Sequence, residues 1–390
     1  MAQRKTLSFN IVLAALFILV NVLFIWNTNA SLASAPPTIH TTDLWRPHGD
    51  PDDHWDLATQ YALAYQGQID LKGILIDYPF AAPVIEQGKR KLGDPGDPDI
   101  ISVTMMNMIT ALAVPVMIGS RPPMKTDDIK PDVSIADHSG IDQLLMILKS
   151  SAQPVIIHIT GSSRDVAAAG KKEPKLFAEK CKAIYLNAGW VYGTNWECNV
   201  NYDPAAFAAI FELPCPIYWM PCNMEYDSSK KAVISKGQFA SEYSLKQKEV
   251  LPFLSPRIQN YFAYMYRDGL YQKEKKQHDI YWLSYLNSPV EQDVIDYHSQ
   301  QIRGMWCTAG FIHAAGKTVT KDGKIVPLSQ TSEQAVFTFD PIEIEFKDPR
   351  NFTWKHSPES NNRFIFHVKD QEHYEQAMTK AIKTLLQSLP

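Results

Sequence analysis

Short, wholly apolar segments alternate with amphipathic ones along the first two thirds of the chain, and this rhythm is the strongest constraint on its fold. "PVIIHIT" (154–160), "AIYLNAG" (183–189) and "PIYWMP" (216–221) are apolar at consecutive positions. That pattern marks strands buried on both faces. Helical patterns separate them. "SGIDQLLMILKSS" sets Ile141, Leu144, Leu145 and Leu148 on one face, "VAAAGKKEPKLFAEKC" is helical in two pieces broken near Pro174, and "DPAAFAAIFEL" is a third helix. Upstream, a helix over 56–66, a buried strand in "DLKGILIDYP", a helix over 100–113 and a strand over 114–119 repeat the alternation. The pattern predicts an α/β fold with a mostly parallel, Rossmann-like central sheet and helices on both faces. Residues 36–42, "PPTIHTT", read as a short linker ahead of it. Residues 229–305 are mainly helical, 320–368 carry β-like runs, and a helix over 370–388 closes the chain. The expectation is one α/β domain over 36–390 with a C-terminal β-containing and helical extension.

The segment before Pro36 is of another kind. Arg4 and Lys5 precede an apolar span from Ile11 to Trp26, and Ala33-Ser34-Ala35 offers a small-residue cleavage site. Residues 1–35 therefore read as a signal peptide or an N-terminal transmembrane anchor. The chain is expected to be exported, to a periplasm or outside the cell, or held at a membrane by that helix. A formal net charge of −4 without a basic block argues against nucleic acid as a partner. The five cysteines are an odd number, so at least one lacks an intrachain partner. An exported chain is able to oxidise Cys215 with Cys222, and the absence of any C-x-x-C leaves a zinc ribbon unsupported. A homo-oligomer is compatible with everything above.

"RPHGDPDDHWDLATQYALA" (46–64) crowds Asp50, Asp52, Asp53 and Asp56 at the start of a helix. Carboxylates this close repel one another, so water, a helix dipole or a cation must offset them. Two readings stand: a divalent cation among the aspartates, or a solvated Asp/Pro turn capping the helix. An EF-hand is the poorer alternative, because Trp55 and Tyr61 stand where its glycine and final glutamate belong.

Ligands of sheets like this sit beyond the carboxyl ends of the strands. The aspartate-rich segment, "GSRPP", "TGSSRD" and "NAGWVYGTNWECN" all lie in or near such loops, so they are expected to converge. Trp190, Tyr192 and Trp196 offer faces for a base or sugar, or pack the rim.

One stretch, "LNAGWVYGTNWECNVNYDPAAFAAIF", resembles the nucleoside hydrolases, the inosine–uridine-preferring N-ribohydrolase family. Glu197, Asn199, Asp203 and Pro204 fall at the spacing of that family's motif. The order of motifs agrees too: "GDPDDHWDLA", "LKGILID", "PVMIGSRPPM" and "GSSRDVAAAG" each have a counterpart. The resemblance covers roughly 43–225. It implies hydrolysis of the N-glycosidic bond of a ribonucleoside-like small molecule by a water activated on bound Ca²⁺. It implies metal ligation by Asp50, Asp52, Asp53 and Asp56, with Asp50 and Asp53 catalytic. It implies substrate contacts from Glu197 and Asn199, and His138 in "DHSGID" matches a looser family loop. Asp203 reads rather as the cap of the following helix.

Two departures qualify the resemblance. Arg164 and Asp165 stand where the family has Thr-Asn. Arg164 forms an ion pair there or grips an anionic substrate group. Cys307 and Thr308 stand where the family carries a His-Asp pair, and His313 follows six residues on. The alternatives are therefore an exported sugar- or nucleoside-binding protein without catalysis, or a hydrolase of a related non-nucleoside glycoside.

Overall fold

The computed structural model describes residues 35–46, 51–77, 83–86, 89–92, 97–120, 139–222, 226–227, 232–233, 238–266, 282–329 and 333–390. The N-terminal apolar segment and the candidates Asp50 and His138 lie outside the described residues. Pro36–Pro390 forms one compact unit. Among the described residues no helix is long and apolar enough to cross a membrane.

A nine-stranded sheet organises that unit. Its strands are β1 (Pro37–Thr42), β2 (Asp70–Ile76), β3 (Val116–Ile118), β4 (Val155–Ile159), β5 (Cys181–Asn187), β6 (Ile217–Met220), β9 (Phe337–Asp348), β10 (Asn351–His356) and β11 (Arg363–Val368). The short pair β7 (Tyr243–Lys246) and β8 (Ile302–Met305) forms a separate antiparallel ladder. Across the large sheet the order is β10-β9-β11-β6-β5-β4-β1-β2-β3. From β11 to β3 every pairing is parallel, and β9 and β10 extend the sheet antiparallel. The predicted C-terminal β runs therefore continue the main sheet.

Strand order reverses between β1 and β4, which are neighbours in the middle of the sheet. The ends of two adjacent strands there feed loops in opposite directions and leave a crevice. The expected linker at 36–42 is in fact β1, and every residue from Pro37 to Thr42 is buried. Its threonines and histidine hide it from a hydrophobicity reading. The threonines are nonetheless β-compatible, and two of them find partners nearby: the Thr38 hydroxyl donates to the Pro36 carbonyl and the Thr42 hydroxyl to Asp53.

Helices cover both faces. On one lie α1 (Pro51–Tyr65), α2 (Ile100–Thr110), α8 (Pro256–Tyr266), α9 (Thr308–Ala314) and α10 (Tyr374–Leu386), with Trp55, Tyr61, Phe262 and Phe311 in their shared core. On the other lie α3 (Ser139–Ser150), α4 (Arg164–Lys172), α5 (Pro174–Lys180) and α7 (Pro204–Ile210), packed through Leu144, Val166, Phe177 and Phe207. The short α6 (Cys198–Tyr202) precedes α7. The break at Pro174 falls where its ring and missing N–H require a new start. α1 begins at Pro51, earlier than the expected residue 56, because proline suits the first helical position.

Candidate functional site

A cavity of about 310 Å³ opens where the carboxyl ends of β1 and β4 diverge. Asp43 follows β1 and Thr160 follows β4, and both line it. α1 brings Asp52, Asp53 and Asp56 from its N-terminal end. The loop after β5 brings Trp190, Trp196, Glu197 and Asn199. The β8 end brings Arg303, Trp306 and Cys307. The aspartates and the Glu197–Asn199 pair therefore share one cavity.

Each acid has its own surroundings. Asp53 accepts from the Thr42 hydroxyl at 3.1 Å, which fixes the start of α1 against the end of β1. Asp52 accepts from Arg303 Nη2 at 2.6 Å. Asp56 is buried and hydrogen-bonds the Cys307 side chain. Burial first, and Asp56 second, push that thiol well above its ordinary value and keep it neutral. Asp43 accepts from the phenol of Tyr202, which burial and then the Asp43 and Asp77 charges hold in its protonated form. Asp52 and Asp53 also sit in the first turn of α1, where the helix dipole favours negative charge.

A second layer of carboxyls lies beneath. Asp77, at the end of β2, is fully buried and accepts from the Ser162 N–H at 2.5 Å. Burial, then the neighbouring Asp43, pushes its carboxyl well above the usual range. Asp165 accepts from the Ser120 N–H at 2.8 Å, and burial raises it to about 6. Gly161 makes the approach of the β4 loop possible. A Cβ there would lie 2.8 Å from the Asp43 backbone nitrogen and would collide with the Asp77 carboxyl.

Glu197 and Asn199 line the cavity and also hold its wall. The Glu197 carboxylate caps α6, accepting from the N–H groups of Gly189 at 2.8 Å, Asn199 at 2.9 Å and Val200 at 3.2 Å. Burial raises its pKa, and those N–H groups oppose the rise. The Asn199 amide donates to the carbonyls of Thr160 and Asn187, each at 3.0 Å, so it ties the ends of β4 and β5 together.

Arg164 is elsewhere. Its Nε donates to Asp203 Oδ2 at 3.0 Å, Nη1 to the Ser120 carbonyl at 3.2 Å and Nη2 to the Tyr202 carbonyl at 3.0 Å. Arg164 is buried and is not among the cavity-lining residues. Asp203 caps α7 through the Ala206 N–H at 3.1 Å, as its place before Pro204 leads one to expect. Asp43 is the cavity carboxylate that sequence reasoning missed. Its signal was present, an acid directly after a strand, but was masked once β1 was read as linker. Arg303 and Trp306 carry no local signal at all.

Asp43, Asp52, Asp53 and Asp56 offer hard oxygens, which suit Ca²⁺ or Mg²⁺. Among the described residues, however, no three His, Cys, Asp or Glu side chains gather closely enough to surround one ion. The arrangement fits an ion held by one or two carboxylates, its shell completed by carbonyl oxygens and water.

The family model "Inosine-uridine preferring nucleoside hydrolase" matches residues 96–374. The chain belongs to that family. The match begins after the aspartate-rich segment, so the placement of that segment in the cavity comes from the fold. The pyrimidine-specific ribonucleoside hydrolase RihA of Salmonella typhimurium is 26% identical over 134 residues, 29% of this chain and 43% of that protein. RihA of Salmonella paratyphi A is 28% identical over 102 residues, 25% of this chain and 32% of that protein. The chain thus matches less than half the length of these relatives. Among solved structures, a purine-preferring ribonucleoside hydrolase from Gardnerella vaginalis shares the fold at a TM-score of 0.50 and 15% identity, covering 90% of this chain and 99% of that one.

Proposed function

We propose that the nucleoside-hydrolase-like site of this protein hydrolyses the N-glycosidic bond of a ribonucleoside-like small molecule. The observation that carries the reading is the meeting of Asp43, Asp52, Asp53 and Asp56 with Glu197 and Asn199 in one cavity at the strand-order reversal. Water attacks C1′ as the C1′–N bond breaks. A carboxylate takes one water proton, and the departing base takes one proton from solvent, so that the carboxylate's release of its own proton to solvent closes the balance. Asp53, oriented by Thr42, is the described residue suited to accept that proton, with Asp50 as its sequence-level companion. Positive charge developing on the sugar faces a wall of carboxylates, which stabilises it. Trp190, Trp196 and Trp306 offer aromatic faces to the base or sugar.

A divalent cation, Ca²⁺ by this reading, would be held by one or two carboxylates drawn from Asp43, Asp52, Asp53 and Asp56, or from Asp50, with carbonyl oxygens and water completing its shell, and when bound would make water more acidic. Cys307 and Asp56 now share the wall where the family's His-Asp pair is expected, so Asp56 keeps a carboxylate there although Thr308 does not. The same substitution favours a second reading, a sugar- or nucleoside-binding protein without catalysis. A chain exported through its N-terminal segment, or anchored by it, would meet extracellular or periplasmic nucleosides.

The test is a screen of the purified protein against purine and pyrimidine ribonucleosides, with Ca²⁺ added or chelated, read by release of free base. Base release that Ca²⁺ enhances is the expected result. Tight nucleoside binding without base release selects the second reading.

A further inference from the structure

The described cavity lining has many carboxylates but one guanidinium, Arg303. The charges are layered. Asp53 and Asp56 are buried. The Arg303 and Asp52 side chains keep 29% and 16% of their exposure, so this pair is less buried than Asp53 and Asp56. Arg350 Cζ sits 4.2 Å from the ring centroid of the cavity-lining Trp196, but Arg350 is not itself among the lining residues and donates to the Asn195 carbonyl and to Asn201 Oδ1.

The ladder between β7 and β8 sets this arrangement. Arg303 pairs with Leu245 across it, and β8 packs beside α1, which carries Asp52. The sequence leaves Arg164 as either an ion-pair partner or the reader of an anionic group. That guanidinium is committed to Asp203 and to backbone carbonyls, whereas Arg303 reaches the cavity.

We propose that the substrate is a phosphorylated ribonucleoside, whose sugar lies on the carboxylate floor and whose phosphate takes Arg303 in exchange for Asp52. The inference rests on the hydrolase reading above and names its substrate class. The Arg303–Asp52 pair is only partly screened by solvent, so parting it requires a ligand that replaces Asp52 on the guanidinium. The ligand must still outcompete Asp52, a carboxylate tethered beside Arg303 at high effective concentration. A singly charged carboxylate gains little over it. A phosphate, with about −1.5 to −2 charges and three acceptor oxygens, fits the guanidinium fork and does gain. Asp52, once released, faces the sugar hydroxyls or the cation. The sugar end meets acid and the phosphate end meets base, so the ligand has one productive orientation.

The test uses the full chain with Ca²⁺. Binding of uridine, inosine, UMP and IMP is measured by calorimetry for the wild type, Arg303→Met and Arg303→Lys. The wild type is expected to bind each nucleotide at least about tenfold more tightly than its nucleoside. Arg303→Met should cost nucleotide affinity about tenfold more than nucleoside affinity, and Arg303→Lys should retain part of the preference because it keeps charge and loses the fork. Inorganic phosphate should compete with the nucleotide in the wild type and not in Arg303→Met. Equal wild-type affinity for nucleoside and nucleotide overturns the proposal. So does an equal loss for both ligands in both variants, which marks Arg303 as a holder of Asp52 alone. Binding of neither ligand class by the folded wild type removes the hydrolase reading itself, an outcome distinct from nucleoside binding without preference.

Discussion

The Thr42 hydroxyl, at the end of β1, donates to Asp53 Oδ1 at 3.1 Å, at the start of α1. Both side chains are buried, so the bond helps fix the orientation of a carboxylate that lines the cavity. Thr42→Val keeps the shape and removes the donor. It should destabilise the fold by about 1–3 kcal/mol, because a buried acceptor loses its partner. Base release should also fall, by roughly tenfold or more, as Asp53 loses its aim. Denaturant melts and steady-state kinetics on the same variant separate the two effects. Unchanged kinetics in a folded variant would remove Asp53 from the proposed chemistry.

Arg164 and Asp203 are each 1% exposed and joined at 3.0 Å. Removing one partner of a buried pair leaves an uncompensated charge, a loss of about 3–5 kcal/mol. Arg164→Ala should therefore lower the unfolding midpoint sharply and loosen the Asp203 cap of α7. Substrate preference should stay as it was in whatever fraction remains folded. A changed preference with full stability would return Arg164 to the recognition role.

The fold was legible where burial is uniform. β4, β5 and β6 are apolar at consecutive positions because helices cover both their faces, and the helix break at Pro174 follows from its missing N–H. β1 was not legible, because Thr38, His40, Thr41 and Thr42 are polar residues buried by the neighbouring strands β2 and β4, which lie far along the chain. Misreading β1 also hid Asp43. Asp52, Asp53, Asp56, Glu197 and Asn199 were found because their spacing is local. Arg303 was not, because only the Leu245 pairing and the neighbouring α1 bring it to Asp52.

Gly161 is the point where backbone freedom is required by the site. A methyl group there would press on the Asp43 backbone nitrogen at 2.8 Å and on the Asp77 carboxyl. Gly161→Ala should cost about 1–3 kcal/mol by overpacking. It should also push the β4 loop away from β1 and β2. The measurable sign is weaker nucleoside binding, beyond what the lost stability accounts for, in protein held well below its melting temperature.

Acid sensitivity tests the centre of the sheet. His40 of β1 and His158 of β4 are cross-strand neighbours, His158 continues to Tyr185 of β5, and Phe311 of α9 meets both imidazoles edge-on. Neither His40 ring nitrogen has a hydrogen-bond partner among the described residues. Burial lowers the His40 pKa to about 3, burial and then His40 lower that of His158, and burial lowers that of His313 to about 4. These groups are neutral in the fold, while the unfolded chain binds their protons below about 6.5. Their contribution is therefore intact above pH 6.5 and lost as pH falls toward the folded values. Asp165, raised to about 6, acts in the opposite sense and gains stability on protonation. A wild-type profile mixes the two, so the informative quantity is a difference between variants. His40→Leu removes one proton acceptor from the unfolded chain and leaves the carboxyls alone. Between pH 7.5 and pH 5 it should gain about 2 kcal/mol relative to the wild type, measured by urea melts. A constant gap across that range would mean that His40 is protonated in the fold as readily as in the unfolded chain.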